Sequence, residues 1–219
     1  MSRGYTMPIL DTDLNVAKQV FDVNFFGVIG AIQAFAPLLI AAEGTIVLIG
    51  SAGGVFPYPF GGNRQHCLTS TSLIQLGIYG ATKSSVHYLA DVLRLEMHPF
   101  NVKVINVATG GVKSHIASNA TKNYDHSLPP NSLYLPIEEQ FKQSQNSRLD
   151  KFIETKEYAR YIVARVNKAK RSGWLWKGRF STTIWFVSTF LWKTVFDSIQ
   201  LSENGLKKLR DIVTKRKVQ

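Results

Sequence analysis

The sequence predicts an α/β fold, and three stretches carry that prediction. Gly44-Thr45-Ile46-Val47-Leu48-Ile49-Gly50 reads as a buried strand that ends in the small-residue loop Ser51-Ala52-Gly53-Gly54. Val102-Lys103-Val104-Ile105-Asn106-Val107 reads as a second strand. Between them a helix opens at Tyr79-Gly80-Ala81-Thr82-Lys83 and runs to about Met97. Apolar strands that alternate with helices predict a parallel sheet with helices on its faces.

The bulk composition is compatible with one such domain. The chain has 219 residues, 45% of them hydrophobic, enough to enclose a core. Its one cysteine, Cys67, excludes an internal disulfide and fits a reducing compartment. Met1-Ser2-Arg3-Gly4-Tyr5 has no apolar run of signal-peptide type. The net charge of +11 is uneven, with +9 on residues 168–219 and +2 on residues 1–167. The basic character therefore belongs to the C-terminal end.

Taken in order, residues 11–42 read as one long helix, with Asp11 or Thr12 as N-cap and Asp13 in the first turn. Phe25–Ala42 contains 18 residues without a charge, which meets the lower length of a membrane span. Gly27, Gly30, Gln33 and Pro37 interrupt the run, and one short loop joins it to a strand. A buried core helix is the preferred reading. Residues 110–150 are rich in Ser, Asn, Pro and Gln and read as a loop region with helical pieces. Phe152, Tyr158, Ile162 and Val163 recur at helical spacing. Ser172-Gly173-Trp174-Leu175-Trp176-Lys177-Gly178 then reads as a short strand.

From Phe180 to Trp192 there are 13 residues without a charge, flanked by Arg179 and Lys193. As a helix they reach only ~20 Å, short of a ~30 Å hydrocarbon core. Trp174, Trp176, Trp185 and Trp192 mix with Lys and Arg, the composition of a helix lying in a membrane interface. Lys207, Lys208, Arg210 and Lys215-Arg216-Lys217 would favour anionic lipid. The alternative is a packed C-terminal helix with a solvated basic end. No nucleic-acid-binding module is recognisable, and nucleic acid is set aside as a partner.

The chemistry centres on Tyr79 and Lys83, four apart and so one turn apart on a single helix face. A tyrosine loses its proton near pH ~10, and a neighbouring ammonium and the positive helix end both favour the phenolate. The pair predicts a phenol that exchanges a proton near neutral pH. Alone, such a pair is more often a solvated helix face. The flanks add Asp22-Val23-Asn24-Phe25-Phe26-Gly27 and Ser51 after the first strand. Beyond the second strand comes Ala108-Thr109-Gly110-Gly111-Val112-Lys113-Ser114.

In this order the motifs resemble the short-chain dehydrogenase/reductases, over most of residues 5–180. Within that group the chain is most similar to the fungal NADPH-dependent 1-acyldihydroxyacetone-phosphate reductases. Tyr5-Thr6-Met7-Pro8, Phe56-Pro57-Tyr58-Pro59-Phe60-Gly61 and Thr109-Gly110-Gly111-Val112-Lys113 carry the narrower match. The resemblance implies a Rossmann-like, doubly wound parallel sheet over residues 1–180, followed by a basic amphipathic tail over 181–219. It implies NADPH as cofactor and reduction of a lipid-like ketone, 1-acyldihydroxyacetone phosphate to 1-acylglycerol 3-phosphate, in glycerolipid synthesis. Tyr79 would be the general acid, and Ser51 would polarise the carbonyl. Lys83 would lower the phenol pKa and bind the nicotinamide ribose. Asn24 would hold a relay water. Val112 would contact the nicotinamide, and Ser114 would bind phosphate. Thr109 stands where the family has Pro. No metal enters the reading. A homodimer through the helix of residues 11–42 and the Tyr79 helix is also implied. The expected location is the cytoplasmic face of the endoplasmic reticulum or a lipid droplet, with the cytoplasm as alternative.

Two departures qualify this resemblance. No Gly-x-x-x-Gly-x-Gly precedes Asn24, so the glycine-rich half that holds the dinucleotide is not visible. The strands at 45–50 and 102–108 are thus expected to have neighbours this chain lacks, and the catalytic constellation could be idle. Ser51 and Tyr79 stand 28 positions apart, against about a dozen in the family, an ordinary loop. The excess falls at residues 63–77, and a retained intron together with a late start site would explain both departures. Two other functions stay open: a catalytically impaired relative that only associates with a membrane or droplet, and a reductase of another hydrophobic ketone such as a steroid.

Overall fold

The structure, a computed structural model, describes residues 2–57, 77–115, 127–145, 152–192 and 194–218. The stretch from 63 to 76, most of the expected insertion, lies outside the described residues. After a short 3-10 turn, helix α1 (Leu14–Phe21) passes through a π-helical turn (Asp22–Phe26) into α2 (Gly27–Ala41). Strand β1 (Thr45–Ile49), helix α3 (Ile78–Glu96) and strand β2 (Lys103–Thr109) follow. Helices α4 (Glu138–Gln145) and α5 (Thr155–Asn167) lead to β3 (Gly173–Lys177). The chain ends in α6 (Ser181–Phe190), α7 (Asp197–Glu203) and α8 (Leu206–Val218).

The three strands form one parallel sheet in the order β1-β2-β3. Leu48 is opposite Asn106, which in turn is opposite Trp174. β2 is the middle strand, buried from Val104 to Ala108, as expected where helices cover both faces. On one face, Val86, Ala90 and Leu93 of α3 pack on Ile46, Leu48 and Val104. On the other, Tyr158 and Ile162 of α5 pack on Ile105 and Val107. Both crossovers carry a helix, and the two helices lie on opposite faces. This is the doubly wound, Rossmann-like arrangement that the sequence predicts.

Several expectations change. The long helix starts later than expected: Asp13, not Asp11 or Thr12, is the N-cap, its carboxylate accepting from the Asn15 N–H at 2.7 Å. Asp11 and Thr12 belong to the 3-10 turn and its end, where the Thr12 hydroxyl instead donates to the Pro8 carbonyl. The buried-core reading of α2 is also corrected. None of its residues is buried, and only a stripe through Val28, Ile32, Leu39 and Ile40 rests against the core. Phe35 and Leu38 are 60% and 68% exposed. The reason is positional. α2 lies over β1, which is the sheet's edge among the described residues, so the sheet supports only one side of the helix. A groove of about 1080 Å³ opens there, between α2 and the outer flank of β1, and reaches Asn24 and Lys83.

By length and composition, Leu14–Ala41 is the one helix among the described residues apolar enough to cross a membrane. Its polar Asn24 nevertheless faces inward and is buried. Two details of the α5 reading also shift. Phe152 precedes the helix and packs over Gly111, and Val163 faces outward at 57% exposure.

Trp174 and Trp176 sit on β3, stacked on each other with ring centroids 5.6 Å apart. They are therefore part of the sheet and not of an interfacial helix. α6 is not a free tail either. Ile184 and Val187 are buried against Ala52, Phe56 and Tyr79. Its outward face bears Trp185, Phe186 and Phe190, all exposed. The turn before α8 rests at Ile137 and Gln140, where a side chain on Gly205, at φ +73°, would crowd.

Candidate active site

The carboxyl end of β1 and the first turns of α3 build the site. β1 ends at Ile49, and Gly50 to Gly54 turn back beneath α3. The turn needs small residues: a Cβ on Gly54 would lie 2.6 Å from the Lys83 backbone carbonyl carbon. Ser51 adopts extended backbone, caps the 3-10 turn Ala52–Gly54 and accepts the Gly53 N–H on its hydroxyl at 3.2 Å. α3 begins one residue before Tyr79, so Tyr79, Lys83 and His87 follow at one-turn intervals along its inner face.

All three side chains are buried and all reach residues 49–51. The Ser51 hydroxyl comes close enough to the Tyr79 hydroxyl to act on its proton affinity. Lys83 Nζ donates to the Ile49 carbonyl at 3.0 Å. His87 Nε2 lies 2.8 Å from the Ser51 carbonyl oxygen. Ser51, Tyr79 and Lys83, singled out from the sequence, are therefore brought together. His87 was not singled out. Its position four residues after Lys83 was a readable signal, since Tyr79, Lys83 and His87 continue one helix face.

The electrostatics differ from the expectation. Burial pushes the Tyr79 phenol above its ordinary range, although the nearby Ser51 and Ser2 hydroxyls act the other way. Ser2 approaches without completing a hydrogen bond of normal geometry. Lys83 Nζ is 5.8 Å from the ring centroid and is directed to the Ile49 carbonyl. It does not overcome the desolvation of the phenol. Lys83 itself moves toward neutrality, to about 8, because burial penalises the ammonium. Thus the proton-exchanging group near physiological pH is the lysine, and the phenol remains a firmly protonated donor.

The Asn24 side chain is engaged within the protein. Its Oδ1 accepts the Arg3 N–H at 2.7 Å, and its Nδ2 donates to the Arg3 carbonyl at 2.8 Å and to Thr82 Oγ1 at 3.2 Å. Thr82 in turn donates to the Tyr79 carbonyl at 2.7 Å. The amide pins the N-terminal segment and the π-helical turn to α3, and both of its N–H bonds are taken.

The second loop leaves the carboxyl end of β2, beside β1, the usual place for ligands in an open α/β sheet. Gly110 touches the Arg179 carbonyl so closely that a Cβ would lie 2.3 Å from it, and Gly111 faces the Phe152 ring. Gly111 bridges Arg179, and Val112, half-buried, bridges Ile153. Ser114 is exposed. Thr109 forms a 2.6 Å hydrogen bond with the Tyr158 hydroxyl of α5, a contact the usual proline could not make.

Comparison with known proteins decides the family. The short chain dehydrogenase family model matches residues 3–63 and 68–125, with its interruption inside the stretch read as an insertion. This chain is a short-chain dehydrogenase family member. It is 37% identical over 94% of its length to the short-chain dehydrogenase virD of Hypocrea virens, and covers 66% of that protein. It is 34% identical over 93% of its length to the NADPH-dependent 1-acyldihydroxyacetone phosphate reductase of Saccharomyces cerevisiae, covering 60% of it. The chain therefore spans about two thirds of the length of these curated relatives. Among solved structures, a short-chain dehydrogenase from Streptomyces avermitilis superposes with a TM-score of 0.61 at 18% identity, covering 97% of this chain and 68% of that one. That likeness supports the Rossmann-like fold of this short-chain dehydrogenase.

Proposed function

We propose that this chain carries the carbonyl-reducing centre of an NADPH-dependent ketone reductase. One observation carries the reading: in a short-chain dehydrogenase, Ser51 and Tyr79 are buried together, close enough for the serine to act on the phenol, with buried Lys83 one turn along the same helix. The reduced nicotinamide, when bound, supplies the hydride. Tyr79 donates its proton to the developing alkoxide, and Ser51 donates a hydrogen bond to the same oxygen. Lys83 has three N–H bonds and gives one to Ile49, which leaves donors for ribose hydroxyls. Val112 lies on the loop next to that end of the sheet and would meet the carboxamide through its backbone, with Ser114 offering a hydroxyl to phosphate. These residues fit the nicotinamide end of the cofactor. The sequence supplies no glycine-rich turn for the pyrophosphate end, and affinity of the isolated chain for NADPH is the first quantity to measure.

The substrate class rests on the yeast relative's printed activity and on the apolar wall formed by Phe56, Ile184 and Val187 beside Tyr79. A lipid-like ketone such as 1-acyldihydroxyacetone phosphate fits both, with another hydrophobic ketone as the competing substrate. The decisive test is reduction of both ketones, followed by NADPH fluorescence, with wild type and Tyr79→Phe. The variant should lose at least about 10³-fold in kcat with NADPH affinity unchanged. Equal turnover by the two proteins would refute the site. No saturable NADPH binding would favour a chain without activity of its own.

Two associations belong to the same proposal. Exposed Phe35 and Leu38 on α2, with Tyr88 and Leu95 on α3, support a homodimer that covers these helices. Exposed Trp185, Phe186, Phe190 and Trp192, together with the basic residues of α8, support docking on an anionic membrane or droplet surface at the cytoplasmic face of the endoplasmic reticulum. The residues from 181 on then serve the site and the surface together. Flotation with vesicles containing phosphatidylserine should recover the wild type but not Trp185→Ser/Trp192→Ser.

A further inference from the structure

We infer that His87 is a positioning residue for Ser51, an inference that rests on the reductase reading above. His87 is 5% exposed and lies on the same face of α3 as Tyr79 and Lys83. Its ring is held on three sides. Trp174 of β3 stacks on it with ring centroids 4.7 Å apart and an interplanar angle of 23°. Trp174 is itself anchored by its Nε1–H to Asp91 Oδ1 at 3.0 Å. Asn106 of β2 places Oδ1 2.9 Å from His87 Nδ1. On the third side the ring fills the space over Gly50, where a Cβ would lie 2.2 Å from its Cε1. So fixed, Nε2 meets the Ser51 carbonyl at 2.8 Å.

That last contact decides the proton's place. Nε2 meets both ends of Ser51, the N–H at 3.4 Å and the carbonyl oxygen at 2.8 Å. The shorter contact governs, since a bare lone pair facing a carbonyl at that distance would be repulsive, so Nε2 carries the hydrogen and donates to the Ser51 carbonyl. Burial, the largest influence on the ring, holds it neutral, leaving Nδ1 an acceptor. Nδ1 is then satisfied once the Asn106 amide, placed with Oδ1 toward Nδ1 and Nδ2 3.5 Å from the His87 carbonyl, is turned to present its nitrogen, which gives up only that longer contact. The Ser51 carbonyl also accepts the Gly54 N–H at 2.8 Å. With both bonds made, the peptide at Ser51 cannot rotate, and its hydroxyl stays against Tyr79. His87 never touches the substrate and acts through the residue that does.

Two measurements test this. Long-range proton–nitrogen NMR of the imidazoles in the full chain at pH about 7 should show His87 as the neutral Nε2–H tautomer, since burial holds it below the ordinary imidazole range. The Nδ1–H tautomer or an imidazolium there would overturn the inference whether or not the chain proves active. Kinetically, His87→Leu should lower kcat about 10²-fold, the cost of a misplaced catalytic group, with KM for the ketone and NADPH affinity within about threefold. His87→Gln, which returns an amide N–H near the Nε2 position, should recover most of the loss. Equal losses in the two variants, or a loss confined to KM, would sink the inference. If Tyr79→Phe retains turnover, the reductase reading fails on its own and the tautomer alone judges His87.

Discussion

α2 and α3 cover the same face of the sheet, yet they are opposites. α2 is the more apolar, with no charged residue among its 15, and none of them is buried. α3 carries Lys, His, Arg, Asp and Glu, and eight of its 19 residues are buried, among them Lys83 and His87. Apolar composition therefore does not say how much of a helix is covered. What differs is the ground beneath. α3 crosses the junction of β1 and β2, and its polar groups find partners at Ile49, Ser51 and Asn106. α2 rests on the edge strand alone, and half of its apolar surface has no sheet to meet.

The largest predicted effect tests the α3 side of this contrast, the loss of at least about 10³-fold in turnover for Tyr79→Phe. Next is stability. Leu93→Ala removes a buried α3 side chain from the core of the domain and should cost about 2–4 kcal/mol in urea unfolding. A cost under 1 kcal/mol would mean that the α3 packing is looser than described. The third effect is in pH. Lys83 holds its proton less tightly folded than unfolded, with a folded value of about 8. Between pH about 8 and the unfolded value near 10.5, the unfolded chain binds more protons, so the destabilising effect of the buried ammonium is relieved as pH rises. Turnover should run the other way, falling about tenfold per pH unit above about 8 as the charge is lost. Lys83→Arg should move that limb to higher pH, since a guanidinium stays charged. A limb that does not move in this variant would assign it to another group.

The smallest effect belongs to α2. Phe35→Glu with Leu38→Glu should change the unfolding free energy of the monomer by no more than about 0.5 kcal/mol per site, while light scattering shows a dimer becoming monomeric. A large loss of monomer stability would erase the contrast between the helices. An unchanged mass would leave the exposed face of α2 without a second copy to cover it.

Much of the site was legible in sequence because it follows from helix geometry. Tyr79 and Lys83 share a face at any spacing of four, and a strand that ends in Gly-Ser-Ala-Gly-Gly sets a serine at a sheet edge. The direction of the Tyr79 shift was not legible. Proximity to an ammonium argues one way and burial the other, and which wins depends on where Lys83 Nζ points. The packing of Trp174 was hidden for a similar reason. The sequence sets Trp174 on a short strand, but only the pairing of β3 with β2 sets it beside His87. Asn24 sits in a motif that marks the family, but its bonds to Arg3 and Thr82 join residues as many as 58 positions apart.

From residues alone come the alternation of strands and helices, the Tyr79–Lys83 face, the serine after β1 and the basic C-terminal end. Each is a local property, set by chain periodicity or by neighbours within a few residues. The tertiary structure alone decides that α2 is uncovered, that the lysine and not the phenol shifts toward neutral pH, and that a histidine, an asparagine and a tryptophan lock the Ser51 peptide. These depend on how deeply each group is removed from water and on which distant carbonyl it meets, quantities that exist only once the strands have paired.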